Sequence, residues 1–161
     1  MPFRLLALTS AIALGLASLS APASGGAPIL VLGGTAAKPA QALDLAGLDA
    51  MPQTSFETNT PWHKGPVTFS GVLLKDYLAT LGAHGTRVQL IALNDYTVEA
   101  PVDELVEGGA LLATRQNGQP MPVSEKGPVF LLFPFDSRKE LQHQTYYSRS
   151  VWQLSEIDIL E

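Results

Sequence analysis

The stretch VTFSGVLLKDYLATLG, residues 67–82, is the part of the sequence that best indicates the fold. Its first three residues are β-branched or aromatic, which predicts a short strand at residues 67–69. From Gly71 onward the apolar residues recur at helical spacing, and Gly82 is typical of a helix C-terminus. A short strand and a short amphipathic helix therefore follow each other with almost no connection between them.

The segments on either side of this stretch are mostly strands. Asp44 is the predicted N-cap of a short helix at residues 45–51, which Pro52 ends, and Pro101 begins a short acidic helix. Further strands are predicted at residues 29–32, 54–58, 88–93, 96–100, 111–116, 119–123, 129–133 and 151–160. Because the connections are too short for regular βαβ crossovers, the predicted class is α+β with a mixed, mostly antiparallel sheet.

The composition excludes several kinds of chemistry. The 161 residues include no cysteine, so the chain has no disulfide, thiol nucleophile, iron–sulfur cluster or lipidated cysteine. The formal net charge is −5 and no basic run occurs, which argues against a nucleic acid partner. The histidines at positions 63, 84 and 143 do not have the spacing of a metal site, so no metal site is predicted.

Residues 1–23 have the pattern of a secretory signal peptide. Arg4 precedes an apolar run at residues 5–19, and Ala21-Pro22-Ala23 is a small-residue cleavage site. A membrane-spanning helix needs about 20 apolar residues, so no stable membrane anchor is expected after cleavage. We expect residues 24–161 to form one periplasmic or secreted domain, exported unfolded because the signal has no Arg-Arg pair.

Five segments, in order and with matching spacing, resemble a known family. They are residues 69–78, 93–101, 111–121, 127–134 and 150–157. Together they resemble the oxidoreductase molybdopterin-binding domain of sulfite oxidases and their bacterial relatives. The resemblance implies a sulfite-oxidase-type fold, and the length of the chain resembles that of a small, stand-alone exported subgroup.

The resemblance also bears on the cofactor. Enzymes of this family hold molybdenum through a dithiolene pterin and one protein Cys thiolate, and this chain has no cysteine. Residues 55–60 stand in the corresponding region, and their hydroxyl and amide groups are poor substitutes for a soft thiolate. Exported enzymes of the family resemble one another in using twin-arginine signals, which this chain also lacks. We therefore expect no cofactor, with molybdopterin as a disfavoured alternative.

The family's cleft implies where a ligand would bind in this chain. It would lie between residues 59–64, the turn at residues 94–96, and residues 135–149. The candidate ligand-binding residues are Asn59, Trp62, His63, Asn94, Asp95, Tyr96, Arg115, Tyr146 and Arg149. Structural roles stay open for several of them: Trp62 could close the edge of the core, His63 could be solvated, and Asn94-Asp95 could serve only the turn.

Three functions remain open on the sequence alone. The first is a sulfite-oxidase-fold protein without the molybdenum thiolate, acting as a ligand-binding, sensory or accessory module for a small or anionic ligand. The second is a molybdopterin-dependent oxidoreductase with atypical ligation. The third is a subunit that binds another protein, such as a periplasmic or membrane sensor or redox partner, through residues 133–149. No catalytic residue is predicted, and the first function is favoured.

Overall fold

The computed structural model describes residues 26–34 and 39–160. The predicted signal peptide, residues 1–23, lies outside these ranges. Among the described residues, no helix has the length and apolar character needed to cross a membrane.

Short strands dominate the described chain. The strands are β1 (Leu30–Gly34), β2 (Gln41–Leu43), β3 (Thr54–Thr58), β4 (Val67–Leu73), β5 (Arg87–Ala92), β6 (Thr97–Pro101), β7 (Leu111–Gln116), β8 (Gln119–Pro120), β9 (Phe130–Leu132) and β10 (Leu154–Leu160). The α-helices are α1 (Leu45–Asp49), α2 (Leu74–Thr80), α3 (Val102–Glu107) and α4 (Gln144–Ser148). Turns of 3₁₀-helix lie at Val123–Glu125, Phe135–Ser137 and Lys139–Leu141.

The strands form two five-stranded sheets. Sheet A has the order β2-β1-β10-β5-β6, and its β1–β10 pair is parallel while the other pairs are antiparallel. Sheet B has the order β3-β4-β7-β8, with β9 also paired to β7, and all of its pairs are antiparallel. The predicted α+β class with a mixed, mostly antiparallel arrangement is confirmed.

Two apolar clusters form the core, and β7 contributes to both of them. Leu112 belongs to the larger cluster, which joins sheet A to the helices. Leu111 and Ala113 belong to the smaller cluster on the other side of sheet B. Alternate residues of a strand face opposite sides of the sheet, so the continuous apolar sequence of β7 fits a strand that is buried on both faces.

The predicted boundary between strand and helix at residues 67–82 is wrong. The helix was expected to begin at Gly71, but β4 continues to Leu73 and α2 begins at Leu74. β4 is hydrogen-bonded to β3 on one side and β7 on the other, and this pairing outweighs the helical spacing of the side chains. At Gly71, an added Cβ would lie 2.0 Å from the carbonyl oxygen of Leu112, so glycine is required where the two strands approach.

The predicted ends of two other strands are also wrong. β8 ends at Pro120 instead of continuing to residue 123, since proline has no backbone N–H for the sheet. β10 begins at Leu154 instead of residue 151, because Gln153 has a φ of 52°, which breaks the extended backbone. Strand β3 and the N-cap of α1 match the prediction, and the side chain of Asp44 accepts a hydrogen bond from the Gly47 N–H at 2.8 Å.

Two carboxyl groups lie side by side on the outer face of sheet A. Glu156 and Asp158 point to the same side of β10, next to Gly33 of the neighbouring strand. A Cβ on Gly33 would lie 2.6 Å from Oδ1 of Asp158 and 3.0 Å from Oε1 of Glu156, so glycine makes room for the pair. Burial, and then the charge and hydrogen bonding of Asp158, raise the pKa of the Glu156 carboxyl above its ordinary value.

We expect Glu156→Gln to stabilise the protein at pH 7 and to have little effect at pH 4. The raised pKa means that the folded state binds the Glu156 proton more tightly than the unfolded state does. The protonated carboxyl therefore contributes to the stability of the fold at low pH, and this contribution is lost as the pH rises through the folded-state pKa. At pH 7 the substitution removes a charge repelled by Asp158, and the gain should be below about 1 kcal/mol. Urea unfolding at both pH values, with Glu57→Gln on the edge strand β3 as control, measures it. A gain of the same size at both pH values would contradict this explanation.

Candidate functional site

A pocket of about 250 Å³ opens where three parts of the chain meet. The loop after β3, the turn between β5 and β6, and the end of α4 with the residues that follow it each contribute to its wall. It is lined by Trp62, Asn94, Tyr96, Tyr147, Ser148, Ser150 and Trp152, and we call it the aromatic pocket. None of these seven side chains carries a charge.

Trp62 forms one wall of the pocket and is held there by other aromatic rings. Its ring makes edge contacts with Phe130, Phe135, Tyr147 and Trp152, with centroid distances of 5.9, 6.1, 6.0 and 5.6 Å. Its backbone N–H also donates to Oγ1 of Thr60 at 3.2 Å. Trp62 packs against both core clusters, so the expected role at the edge of the core and a place in the pocket wall are compatible.

The turn between β5 and β6 places Tyr96 in the pocket wall. Oδ1 of Asn94 accepts a hydrogen bond from the Tyr96 N–H at 3.2 Å, and Asp95 adopts a φ of 65° between them. The Tyr96 hydroxyl then donates to the carbonyl oxygen of Ser148 at 2.6 Å. This contact joins the turn to the end of α4.

Two side chains that line the pocket, those of Tyr96 and Trp152, are large, apolar and exposed. In residues 26–34 and 39–160, the large exposed apolar side chains are Leu93, Tyr96, Val123 and Trp152. Gln153 joins the backbones of the other two, Leu93 and Val123. Its carbonyl oxygen accepts from the Leu93 N–H at 2.9 Å, and its Nε2 donates to the Val123 carbonyl at 2.7 Å. Exposed apolar side chains that line a pocket, as Tyr96 and Trp152 do, are typical of a binding surface.

Asn59 and His63 were predicted in the same cleft, but they lie outside the aromatic pocket. Asn59 donates twice to Oδ2 of Asp136, at 2.7 and 2.9 Å, and lines a smaller neighbouring cavity. His63 is hydrogen-bonded through Nδ1 to Thr60 at 2.7 Å, and its ring contacts Phe69. Burial, and secondarily the charge of Lys126, lower the pKa of His63. His63 is partly buried, so it is neither enclosed in the core nor fully solvated.

The two predicted arginines are paired with carboxylates, and neither arginine lines the pocket. Arg115 makes a bidentate ion pair with Asp49, at 2.6 and 2.8 Å, which lowers the pKa of the Asp49 carboxyl. Arg149 forms an ion pair with Glu104 at 2.6 Å. An anionic ligand would have to compete with these carboxylates, so the arginines give little support to an anion site.

Residues 133–149 turn most of their aromatic rings toward the core. Phe133 and Phe135 are buried, and the rings of Tyr146 and Tyr147 pack on them with centroid distances of 5.0 and 5.1 Å. Tyr146 does not line the aromatic pocket, and Asp95 is an exposed turn residue.

The pocket therefore contains Trp62, Asn94 and Tyr96 from the predicted candidates, and their role in binding stays a prediction. Tyr147, Ser148, Ser150 and Trp152 were not among those candidates. Trp152 was detectable, because it lies in residues 150–157, one of the five segments that resemble the family. The two serines gave no signal, since the end of α4 and the turn after it bring them to the pocket.

Comparison with known proteins identifies the family. The sequence profile of the oxidoreductase molybdopterin binding domain matches residues 30–136. The chain belongs to this family. Its members' sulfite-oxidase-type fold, which the resemblance implied, is confirmed for this chain.

A solved structure supports the same fold for this molybdopterin-binding-domain protein. The sulfane dehydrogenase SoxCD from Paracoccus pantotrophus is similar, with a TM-score of 0.61 and 16% identity over 81% of this chain and 37% of that chain. At this identity the likeness shows the fold alone, and the protein spans little more than a third of the SoxCD chain. No curated protein sequence matches it.

The side chains of this molybdopterin-binding-domain protein do not fit the ligation that the resemblance implied. The thiolate bond to molybdenum needs a cysteine, and the 161 residues contain none. The described residues also contain no group of three or more His, Cys, Asp or Glu side chains that could hold a metal ion. The aromatic pocket offers neutral hydroxyl, amide and indole groups, which are poor ligands for a thiolate-preferring metal.

Proposed function

We propose that this protein is an exported ligand-binding module of the sulfite-oxidase-type fold that functions without a protein thiolate on molybdenum. It would present the aromatic pocket to a small ligand and act as a sensory or accessory component in the periplasm. The observation that carries this proposal is the uncharged aromatic pocket, which opens to solvent in a chain without cysteine.

The exposure of the pocket rings supports ligand binding over a purely structural role. Tyr96 is 44% exposed and Trp152 is 41% exposed, although both are large apolar side chains. A ring that only closes the core would be covered by protein, whereas rings that surround an open cavity can be covered by a ligand. The amide of Asn94 and the hydroxyls of Ser148 and Ser150 add polar groups that can orient that ligand.

Family membership supports a second candidate, a molybdopterin-dependent oxidoreductase with atypical ligation. This candidate requires a metal ligand other than cysteine from this chain. A third candidate, protein binding through residues 133–149, is less supported because the aromatic rings of that segment pack on the core.

Protein isolated from the periplasm should contain less than stoichiometric molybdenum and should bind neutral ring compounds in the aromatic pocket. Metal analysis gives the first result, and NMR titration with a set of single-ring fragments gives the second. Bound fragments should shift the Trp152 indole resonance, and Trp152→Ala should weaken their binding at least fivefold. His84→Ala, in a separate groove beside α2, is the control and should bind like the wild type.

Stoichiometric molybdenum with bound pterin would overturn the proposal and establish the oxidoreductase. Fragment binding that is unchanged in Trp152→Ala would also overturn it, because the binding site would then lie elsewhere. Residual export of the protein after deletion of residues 2–23 would contradict the periplasmic part of the proposal.

A further inference from the structure

We propose that the aromatic pocket binds an uncharged single-ring ligand with hydrogen-bond donors on its edge, and that its ligand class is a pyranose sugar. This inference rests on the proposed function, since it names the ligand of the same pocket. Charge, volume, hydrogen-bonding capacity and the aromatic walls each contribute to it.

The charges around the pocket favour a neutral ligand. No lining side chain is charged, and Arg149, which follows α4, is paired with Glu104 at 2.6 Å. Lys126 lies near the mouth, but its Nζ is 4.7 Å from the centroid of the Trp152 ring, where the ring holds it by a cation–π contact. An anion in the pocket would lose its hydration without gaining a lining counter-charge.

The volume of the pocket favours one ring over a larger molecule. Pockets for drug-sized ligands occupy roughly 300–1,000 Å³. The aromatic pocket, at about 250 Å³, lies below that range. A ligand that is enclosed by it should therefore be about the size of one six-membered ring with its substituents.

The hydroxyl groups of the pocket act as acceptors toward a ligand. The Tyr96 hydroxyl donates to the Ser148 carbonyl at 2.6 Å, and the Ser148 hydroxyl donates to the Thr145 carbonyl at 3.0 Å. The Ser150 hydroxyl donates to the Tyr146 carbonyl at 2.8 Å. Each hydroxyl has only one proton, so these three groups have only lone pairs left for a ligand.

The amide of Asn94 supplies the complementary donor. Its Oδ1 accepts from the Tyr96 N–H, and its Nδ2 makes no hydrogen bond within residues 26–34 and 39–160. The pocket therefore suits a ligand with several O–H donors and at least one acceptor oxygen. A quinone or another ring edged with carbonyl oxygens is disfavoured, because its acceptor oxygens would face the lone pairs of the three hydroxyls and form no hydrogen bond with them.

The aromatic walls match the remaining surface of a sugar. Trp62, Tyr147 and Trp152 surround the pocket with apolar ring surface. A pyranose has C–H groups on its faces and hydroxyl groups on its edge, so it can contact the rings and the polar groups at once. A neutral pyranose satisfies the charge, the volume, the acceptor groups and the apolar walls together.

NMR titration of the full-length mature protein with methyl glucoside, methyl galactoside and N-acetylglucosamine tests the inference. At least one neutral sugar should bind with a Kd on the order of 1 mM, as expected for a single small ring, and shift the Trp152 indole resonance. The matched anion methyl glucuronide should bind at least fivefold more weakly. Adenine serves as the flat heteroaromatic probe and should bind more weakly than the best sugar.

Asn94→Asp separates sugar recognition from folding. The substitution keeps an Oδ1 acceptor for the Tyr96 N–H but removes the Nδ2 donor, so sugar binding should weaken about tenfold with unchanged thermal stability. The control is Asp95→Asn, the opposite change at an exposed position of the same turn, which should leave sugar binding unchanged.

The outcomes distinguish this inference from the proposed function. Tighter binding of methyl glucuronide or adenine at the Trp152 resonance would overturn the sugar class while leaving a ligand-binding pocket. Absence of sugar binding at 50-fold the expected Kd would overturn the inference, and absence of binding by every single-ring fragment would overturn the proposed function as well. Equal weakening by Asn94→Asp and Asp95→Asn would show that the donor has no role.

Discussion

Trp62→Ala is expected to lower the free energy of unfolding by about 3 kcal/mol, the lower end of the range for loss of a large aromatic side chain, because Trp62 is only partly buried. The Trp62 ring contacts four other aromatic rings and packs against both core clusters. Alanine would remove the apolar surface that joins the two clusters and would leave a cavity that the fixed strands β7 and β9 cannot fill.

Urea unfolding of the variant and the wild type measures this loss, and Trp152→Ala is the matched control. Trp152 is the same residue type in the same pocket, but its side chain is 41% exposed, so its removal should cost less than about 1 kcal/mol. Trp62→Ala should therefore cause the larger loss of stability, and Trp152→Ala should cause the larger loss of ligand affinity. Equal losses of stability would show that Trp62 does not join the two clusters.

Gly71→Ala is expected to cost more than about 3 kcal/mol and to reduce the yield of folded protein sharply. Its Cβ would lie 2.0 Å from the Leu112 carbonyl oxygen and 2.9 Å from Cα of Ala113. Both are backbone atoms of β7, which is bonded on its other side to β9, so neither can move without disturbing sheet B.

Gly65→Ala is the control for this substitution. Gly65 has a φ of 74° and no atom within 4 Å of its added Cβ, so alanine there meets only backbone strain of about 1 kcal/mol. Soluble yield and chemical unfolding of both variants provide the comparison. Similar stability of the two variants would mean that sheet B accommodates a methyl group between β4 and β7.

Much of the strand pattern could be predicted because it depends on local sequence. β3 and the Asp44 cap follow from β-branched residues and from a side-chain acceptor next to a helix, respectively. The end of β4 could not be predicted in this way, because residues 70–73 have a helical pattern and remain extended only through pairing with β3 and β7. The family resemblance supplied the fold where local patterns did not.

The candidate site was predictable where the chemistry lies in loops. Trp62 and the Asn94–Tyr96 turn were found because aromatic and turn-forming residues interrupt the strand pattern. Arg115 and Arg149 were predicted as ligand-binding residues because the carboxylates that pair with them are distant in sequence. Asp49 is 66 residues from Arg115, and Glu104 is 45 residues from Arg149. Only the folded backbone shows that these positive charges are already compensated.

The position of β10 affects the order in which the protein can fold. β10 lies between β1 and β5 in sheet A, although it is the last strand of the described chain. Until residues 154–160 are available, β1 and β5 have no partner on the sides where β10 belongs, and the larger apolar cluster is incomplete. Sheet B needs no such late segment, so a nascent chain could form it first. The chain would then complete its larger core in a final step that depends on contacts between residues distant in sequence.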